Sequence, residues 1–156
     1  MISTNLTNFV VLVLAVAAST CHATQYLPCT DKTLTGIINK VTVSGCPTPP
    51  CTVIKGNNVS FAIDFTMKSD QMAKTANTSV HGLIDGVLLP YKTAYTDACD
   101  KANIKCPLMP SSKNLYEAKL YVKKDYPSLE LYVQWELLDQ DKKDIFCFKL
   151  PVIIKS

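Results

Sequence analysis

Arginine is absent from the 156-residue chain. All sixteen basic side chains are lysines, set against thirteen acidic ones for a formal charge of +3. Scattered lysines without the planar guanidinium fork or aromatic interleaving lack the footprint of a nucleic-acid binder, so the charge reads as a solvated surface with a weak pull toward anionic membranes. Histidine is scarce too, with His22 and His81 the two examples. No G-x-S-x-G or H-E-x-x-H context accompanies His81, and Asp85 is its nearest acidic neighbour in sequence. His81 therefore reads as a packed or hydrogen-bonded strand residue beside Gly82. The five glycines form neither a phosphate loop nor a dinucleotide fingerprint. Glu130 and Glu136 fall on the outward register of one strand, about 20 Å apart, far beyond the carboxylate spacing of a glycosidase. No segment carries the 3.6-residue period of a long amphipathic helix. Together these absences argue against an enzyme and predict neither metal nor cofactor.

Charge is missing in one more place. Met1 to Ala23 contain no Lys, Arg, Asp or Glu, and an apolar run from Phe9 to Ala18 leads to Cys21-His22-Ala23. This is the pattern of a cleaved secretory signal, and the apolar run is too short for a membrane span of about 20 residues. Cleavage after Ala23 leaves one domain over residues 24–156, a length that supports a single core. Cys21 departs with the leader, which leaves Cys29, Cys46, Cys51, Cys99, Cys106 and Cys147. An even number in an oxidising compartment predicts three disulfides, although six cysteines permit fifteen pairings. Local spacing favours Cys46 with Cys51 and Cys99 with Cys106, leaving Cys29 for Cys147. Zinc is the competing reading of close cysteines, but no C-x-x-C occurs. The sequons at Asn58 and Asn77 mark expected surface, while the one at Asn5 is lost with the leader.

What the chain does have is alternation. In Lys119–Leu138, Leu120 and Val122 alternate with polar or exposed-type residues, and Leu129, Leu131, Val133, Trp135 and Leu137 alternate with Glu130, Tyr132, Gln134 and Glu136. Period two predicts strands with one face in the core and one in water, here a hairpin turning at Asp125-Tyr126-Pro127-Ser128. Val59, Phe61, Ile63, Phe65 and Met67 repeat the pattern. Further strands are expected over Leu34–Ser44, Ala76–Ile84 and Ile145–Ile154, with one entering the hairpin from Leu115. Pro151 suggests an edge or a bulge, and Tyr91–Pro110 holds either a short helix or a cystine-tied loop. The predicted class is all-β: an immunoglobulin-like sandwich of two antiparallel sheets with about seven strands. Alternation does not distinguish a filled sandwich from one that holds a ligand.

Particular motifs add to this. Cys46-Pro-Thr-Pro-Pro-Cys51, Val80-His81-Gly82-Leu83-Ile84-Asp85-Gly86, Tyr126-Pro127-Ser128, Trp135-Glu136-Leu137 and Phe146-Cys147-Phe148-Lys149-Leu150-Pro151-Val152 resemble the Niemann-Pick type C protein 2 branch of the lipid-recognition (ML) domain family, over essentially all of residues 24–156. The resemblance implies sheets that part around a sterol or fatty acyl chain, and disulfides paired as local spacing favours. It places Tyr91, Val122 and Tyr126 as gatekeepers at a pocket mouth, with Pro127 stiffening the mouth turn. Trp135 and Phe148 match family aromatics, and inward-facing Phe61 and Phe65 complete the candidate ligand-binding set. Plain core packing is an equal reading for Trp135 and Phe148. Val87-Leu88-Leu89-Pro90, where the family has V-P-V-P, and a Cys99–Cys106 segment one residue longer both fall by the expected entrance and bear on ligand choice. The implied function is a secreted, monomeric lipid carrier, delivered outside the cell or to lysosomes, with transient contact to a membrane or lipid transporter. The alternatives are an immune module with a basic rim at Lys113, Lys119, Lys123 and Lys124, or a carrier of a small semiochemical.

Overall fold

The computed structural model describes residues 23–156, so the leader up to His22 and the Asn5 sequon lie outside the described residues. The elements are β1 (Leu27–Pro28), β2 (Gly36–Val43), β3 (Cys51–Ile54), β4 (Asn58–Met67), β5 (Asn77–Ile84), β6 (Val87–Tyr91), a single-turn helix α1 (Ala98–Lys101), β7 (Lys113–Tyr121), β8 (Glu130–Leu138) and β9 (Asp144–Lys155). Six strands make one sheet in the order β1-β9-β8-β5-β6, with β3 also on β9, and β2-β4-β7 make the other. All pairings are antiparallel except that of β3, which runs parallel to β9. The all-β sandwich is thus present, with nine strands against about seven expected; β1, β3 and β6 are the ones the sequence did not mark, and all three are short. Period two is weak over so few residues.

Expectation and structure differ at the stretch 119–138. β7 pairs with β4 and β8 pairs with β5 and β9, so the segment between them crosses from one sheet to the other and is no hairpin turn. Alternation reports which face of a strand looks inward, and it carries no information about the hydrogen-bonded neighbour. Tyr116 of β7 and Trp135 of β8 meet edge to face across the core, ring centroids 6.2 Å apart, rather than side by side in a ladder.

Pro151 is no edge residue either. β9 is flanked by β8 on one side and by β1 and β3 on the other. Its β1 partners end at Lys149 and its β3 partners begin at Val152, so Pro151 falls in the gap between them. Ile154 donates its N–H to Leu129 O, on the β8 side. Alternate residues therefore point away from β8, and the missing N–H of Pro151 faces that gap, where no ladder bond is lost. A tight hairpin joins β5 to β6 through Asp85 and Gly86, with φ of 48° and 82°, and a longer loop over residues 139–143 joins the antiparallel pair β8 and β9. Asp-Gly suits a two-residue loop with both central residues at positive φ.

Aromatic and aliphatic side chains fill one half of the sandwich. Trp135, Tyr116, Phe65, Phe146 and Phe148 are fully buried there, in edge-to-face contacts such as Phe65 with Phe146 at 5.2 Å and Tyr116 with Phe146 at 5.6 Å. The Tyr116 hydroxyl shares a hydrogen bond with Thr78 Oγ1 (2.9 Å) and accepts one from Trp135 Nε1 (3.3 Å), which links the sheets. Burial pushes its pKa up to about 12. Three disulfides close the chain: Cys29–Cys147, Cys46–Cys51 and Cys99–Cys106.

Gln134 and Glu136 also depart from the sequence reading. They lie on the outward register of β8 yet are buried, since the segment before β2 folds over them and Lys32 Nζ reaches Glu136 Oε1 at 3.0 Å and Asp144 Oδ2 at 3.3 Å. A polar residue at an outward position faces water only if no loop covers it.

Candidate functional site

The other half of the sandwich is not filled. Between the sheets lies an apolar cavity of about 80 Å³. The three-stranded sheet and its continuation contribute Val59 and Phe61 from β4, Leu120 from β7, and Val122 and Tyr126 beyond it. The six-stranded sheet contributes Val53, Gly82, Tyr91, Leu131, Val133, Val152 and Ile154. Most of these follow from alternation, because each is an inward position near one end of its strand. Gly82 has a packing reason to be glycine, since a Cβ there would stand 3.0 Å from Leu131 Cδ1 and take up cavity space. Among the lining side chains only the hydroxyls of Tyr91 and Tyr126 are polar.

The end of the cavity is framed by local geometry. Val122 is held by two backbone bonds to the β3–β4 turn, its N–H donating to Asn57 O (2.9 Å) and its carbonyl accepting from Gly56 N (2.6 Å). Gly56 has a φ of +83°, which favours glycine in that turn. Tyr126 follows in the crossover, its N–H on Lys123 O at 3.3 Å, and Lys123 Nζ lies 5.8 Å from its ring centroid. Tyr91 ends β6 and donates its hydroxyl to Tyr121 O of β7 at 3.1 Å, a bond from one sheet to the other. Burial raises the pKa of Tyr91, Tyr126 adds to the rise, and Lys123 pulls the other way. Burial likewise raises Tyr126, with Asp125 adding. Both hydroxyls are therefore neutral donors at physiological pH.

Of the residues singled out from sequence, the structure brings Tyr91, Val122, Tyr126 and Phe61 together on the cavity wall. Pro127 is exposed in the crossover beside Tyr126 and is not on the wall. Trp135 lies behind the wall, its ring 4.5 Å from that of Phe61. Phe65 and Phe148 belong to the filled half, packed on Phe146 and Tyr26 respectively. Asn58 and Asn77 are both exposed. Larger depressions mark the outside, one of about 400 Å³ over the outer face of β4 and β7, but Ser44, Ser60, Lys101, Asn103 and Glu117 line it. A hydrophobic ligand gains by leaving water, which favours the apolar interior.

His81 lies 3.5 Å from Glu136 Oε2 and 3.5 Å from Ser79 Oγ, on the outer side of the six-stranded sheet. Asp85 sits in the β5–β6 turn instead. Glu136, Asp144 and Cys147 bring donor-type atoms within 4.8 Å of one another. The Cys147 sulfur is bonded to Cys29, however, and the Lys32 ammonium stands on both carboxylates where a cation would bind.

Comparison with known proteins agrees with this geometry. The family model described as ML domain matches residues 23–154. The chain is 36% identical over 147 residues to NPC intracellular cholesterol transporter 2 of Mus musculus, covering 94% of this chain and 95% of that protein. It is also 36% identical to NPC intracellular cholesterol transporter 2 homolog a of Drosophila melanogaster over 135 residues, 85% and 88% of the two chains. A Niemann-Pick type C2 protein from Japanese carpenter ant superposes with a TM-score of 0.75 at 24% identity, covering 84% of this chain and 99% of that one.

Proposed function

The chain belongs to the ML domain family, and from that premise we propose that it is a non-enzymatic carrier, secreted after cleavage at Ala23, that takes a single sterol or long-chain fatty acid between its sheets. The observation that carries this reading is the apolar cavity between the sheets with its two tyrosine hydroxyls at one end. The relatives named as cholesterol transporters support a lipid cargo. At about 80 Å³ the cavity is well below the 300 to 1,000 Å³ of an occupied small-molecule pocket. Loading therefore separates the sheets at the Tyr91, Val122 and Tyr126 end, with Val122 and Tyr126 as the moving wall. Each methylene taken out of water contributes about 0.8 kcal/mol. About ten match the roughly 8 kcal/mol of a micromolar complex, and the remaining length of an acyl chain offsets the cost of association.

Delivery calls for contact with a membrane or an acceptor protein. β6 is the edge strand of its sheet and exposes Val87, Leu88 and Leu89 at 57%, 47% and 50%, on the same strand as Tyr91. An exposed apolar edge beside a lipid entrance suits such a contact. The test is extraction of the protein purified from its native source, followed by mass spectrometry of the extract and titration with a fluorescent sterol and a fluorescent fatty acid. Co-purified lipid and saturable one-to-one binding are expected. Absence of saturable binding by either probe overturns the carrier reading.

A further inference from the structure

The cavity lining is apolar throughout except at its end, where the Tyr91 and Tyr126 hydroxyls lie, and Lys123 stands just outside. Lys123 directly follows Val122 of the wall and is exposed, with its ammonium 5.8 Å from the Tyr126 ring centroid. Among the described residues no carboxylate lies within ion-pair distance of it. Its charge nevertheless reaches the entrance, since it opposes the rise that burial imposes on the Tyr91 hydroxyl. A cation held over an aromatic face, next to the neutral Tyr126 hydroxyl and at the rim of an apolar slot, complements an anionic head on an apolar tail.

We propose that Lys123 is the specificity-determining residue of the site and that, resting on the carrier reading above, the preferred cargo is a single-chain carboxylate, a long-chain fatty acid anion, over a neutral sterol or alcohol. Two features converge on this class. The polar groups gather at one end only, so a ligand with one polar terminus is matched and one with polar groups at both ends is not. The small volume of about 80 Å³ also favours the narrower ligand, because an alkyl chain asks less separation of the sheets than a fused ring system does. The tail lies between Phe61, Leu131 and Val133, while the carboxylate stays at the rim, half-solvated, between Lys123 Nζ and the Tyr126 hydroxyl.

The experiment measures displacement of the neutral reporter N-phenyl-1-naphthylamine by oleate, oleyl alcohol and cholesterol from the wild type, Lys123→Met and Lys123→Arg, at low and high salt. Oleate is expected to bind the wild type about tenfold more tightly than oleyl alcohol, and Lys123→Met is expected to erase that difference without changing the affinity for the alcohol. Lys123→Arg retains the preference, and added salt weakens oleate alone. All three proteins should melt alike, because Lys123 is exposed. Equal affinity for oleate and oleyl alcohol in the wild type, or a preference that survives in Lys123→Met, overturns the assignment of Lys123. Tighter binding of cholesterol than of oleate overturns the cargo class. Failure of the wild type to bind the reporter or any of the three lipids overturns the carrier reading itself.

Discussion

The two ends of the sandwich are made from the same alternating strands and behave as opposites. At the filled end the segment that leads into β2 is tied to the six-stranded sheet by covalent, ionic and hydrogen-bond contacts, and the two sheets pack closely. Cys29–Cys147 fixes the chain before β2 to β9, Lys32 bridges Glu136 and Asp144, and the Thr35 N–H and hydroxyl both donate to Asp144 O. Gly36 passes so near β9 that a Cβ would stand 2.9 Å from Ile145 O. The core there is aromatic and leaves no room. At the mouth end, besides the chain connection at Lys55–Asn57, β6 is tied to β7 by one tyrosine hydroxyl on one carbonyl, and the wall is mainly valine and leucine around a void. Small β-branched side chains pack a sheet face without reaching across to the other sheet. The difference teaches that one fold can divide its length between a packed end and an end that keeps space between the sheets, which on the carrier reading proposed above is where they part.

The strongest way to break this comparison is to cut the covalent tie. Replacing Cys29 and Cys147 with Ala frees a loop with a sequence separation of 118 residues, worth about 4 to 5 kcal/mol in the chain-entropy model. The same change at Cys46 and Cys51, five residues apart, costs less. Urea unfolding of the two variants beside the wild type checks this, and equal losses would show that the filled end holds no special anchor.

A pair of matched insertions sharpens it. Leu137→Phe adds volume where Leu137 is fully buried in the filled half, and overpacking there should cost about 1 to 3 kcal/mol with little effect on ligand. Val122→Phe adds volume where Val122 borders the void. Its ring takes the ligand's place, so binding of a fluorescent fatty acid should fall at least about tenfold, a loss of 1.4 kcal/mol, with the melting temperature nearly unchanged. A destabilised Val122→Phe protein with unaltered affinity would make the two ends alike.

Much of this division was legible before the structure. The inward positions of β4, β7 and β8 follow from period two, and Tyr91, Val122 and Tyr126 were placed at a common entrance by resemblance. What could not be read has definite causes. Pairing was lost at 119–138 because alternation is blind to the neighbour across a ladder. The wall residues Val53 and Gly82 went unnoticed because β3 is four residues long and because a glycine has no side chain to alternate. Phe65 and Phe148 carry the same inward signal as Phe61, and only the distance along the strand puts them in the filled half. The burial of Glu136 depends on Lys32, more than a hundred residues away in sequence. No local pattern announces such a cover.

A smaller effect is expected from removing the tie at the mouth. Tyr91→Phe keeps the ring on the cavity wall and deletes the bond to Tyr121 O. A net hydrogen bond contributes about 0.5 to 1.5 kcal/mol, and this one is solvent-exposed, so stability should drop by the lower figure. The association rate of N-phenyl-1-naphthylamine, followed by stopped flow, should rise a few-fold, since the sheets part with one contact fewer. An unchanged rate would show that this bond does not restrain the mouth.

The smallest effect is one of pH at the filled end. Asp144 is buried, its Oδ1 has no hydrogen-bond partner, and burial raises its pKa despite the opposing charge of Lys32, with Glu136 and Asp31 adding to the rise. A carboxyl whose folded pKa is raised binds its proton more tightly in the folded state. Its contribution to stability is therefore fully present below the unfolded value of 3.8 and is lost as pH rises through the folded value. At neutral pH the ionised form is a cost that Lys32 offsets only in part. Asp144→Asn removes that titration and leaves Lys32 its 3.0 Å bridge to Glu136. Thermal melts of both proteins from about pH 3.5 to 7.5 isolate the term, because the remaining carboxylates titrate in both. The melting temperature of the wild type should fall relative to that of Asp144→Asn as pH rises, then run parallel to it. A difference that stays constant, or one that grows in favour of the wild type with rising pH, would make the Lys32 to Asp144 pair a net stabiliser, and the filled end would then be held by charge as well as by covalent bonds and packing.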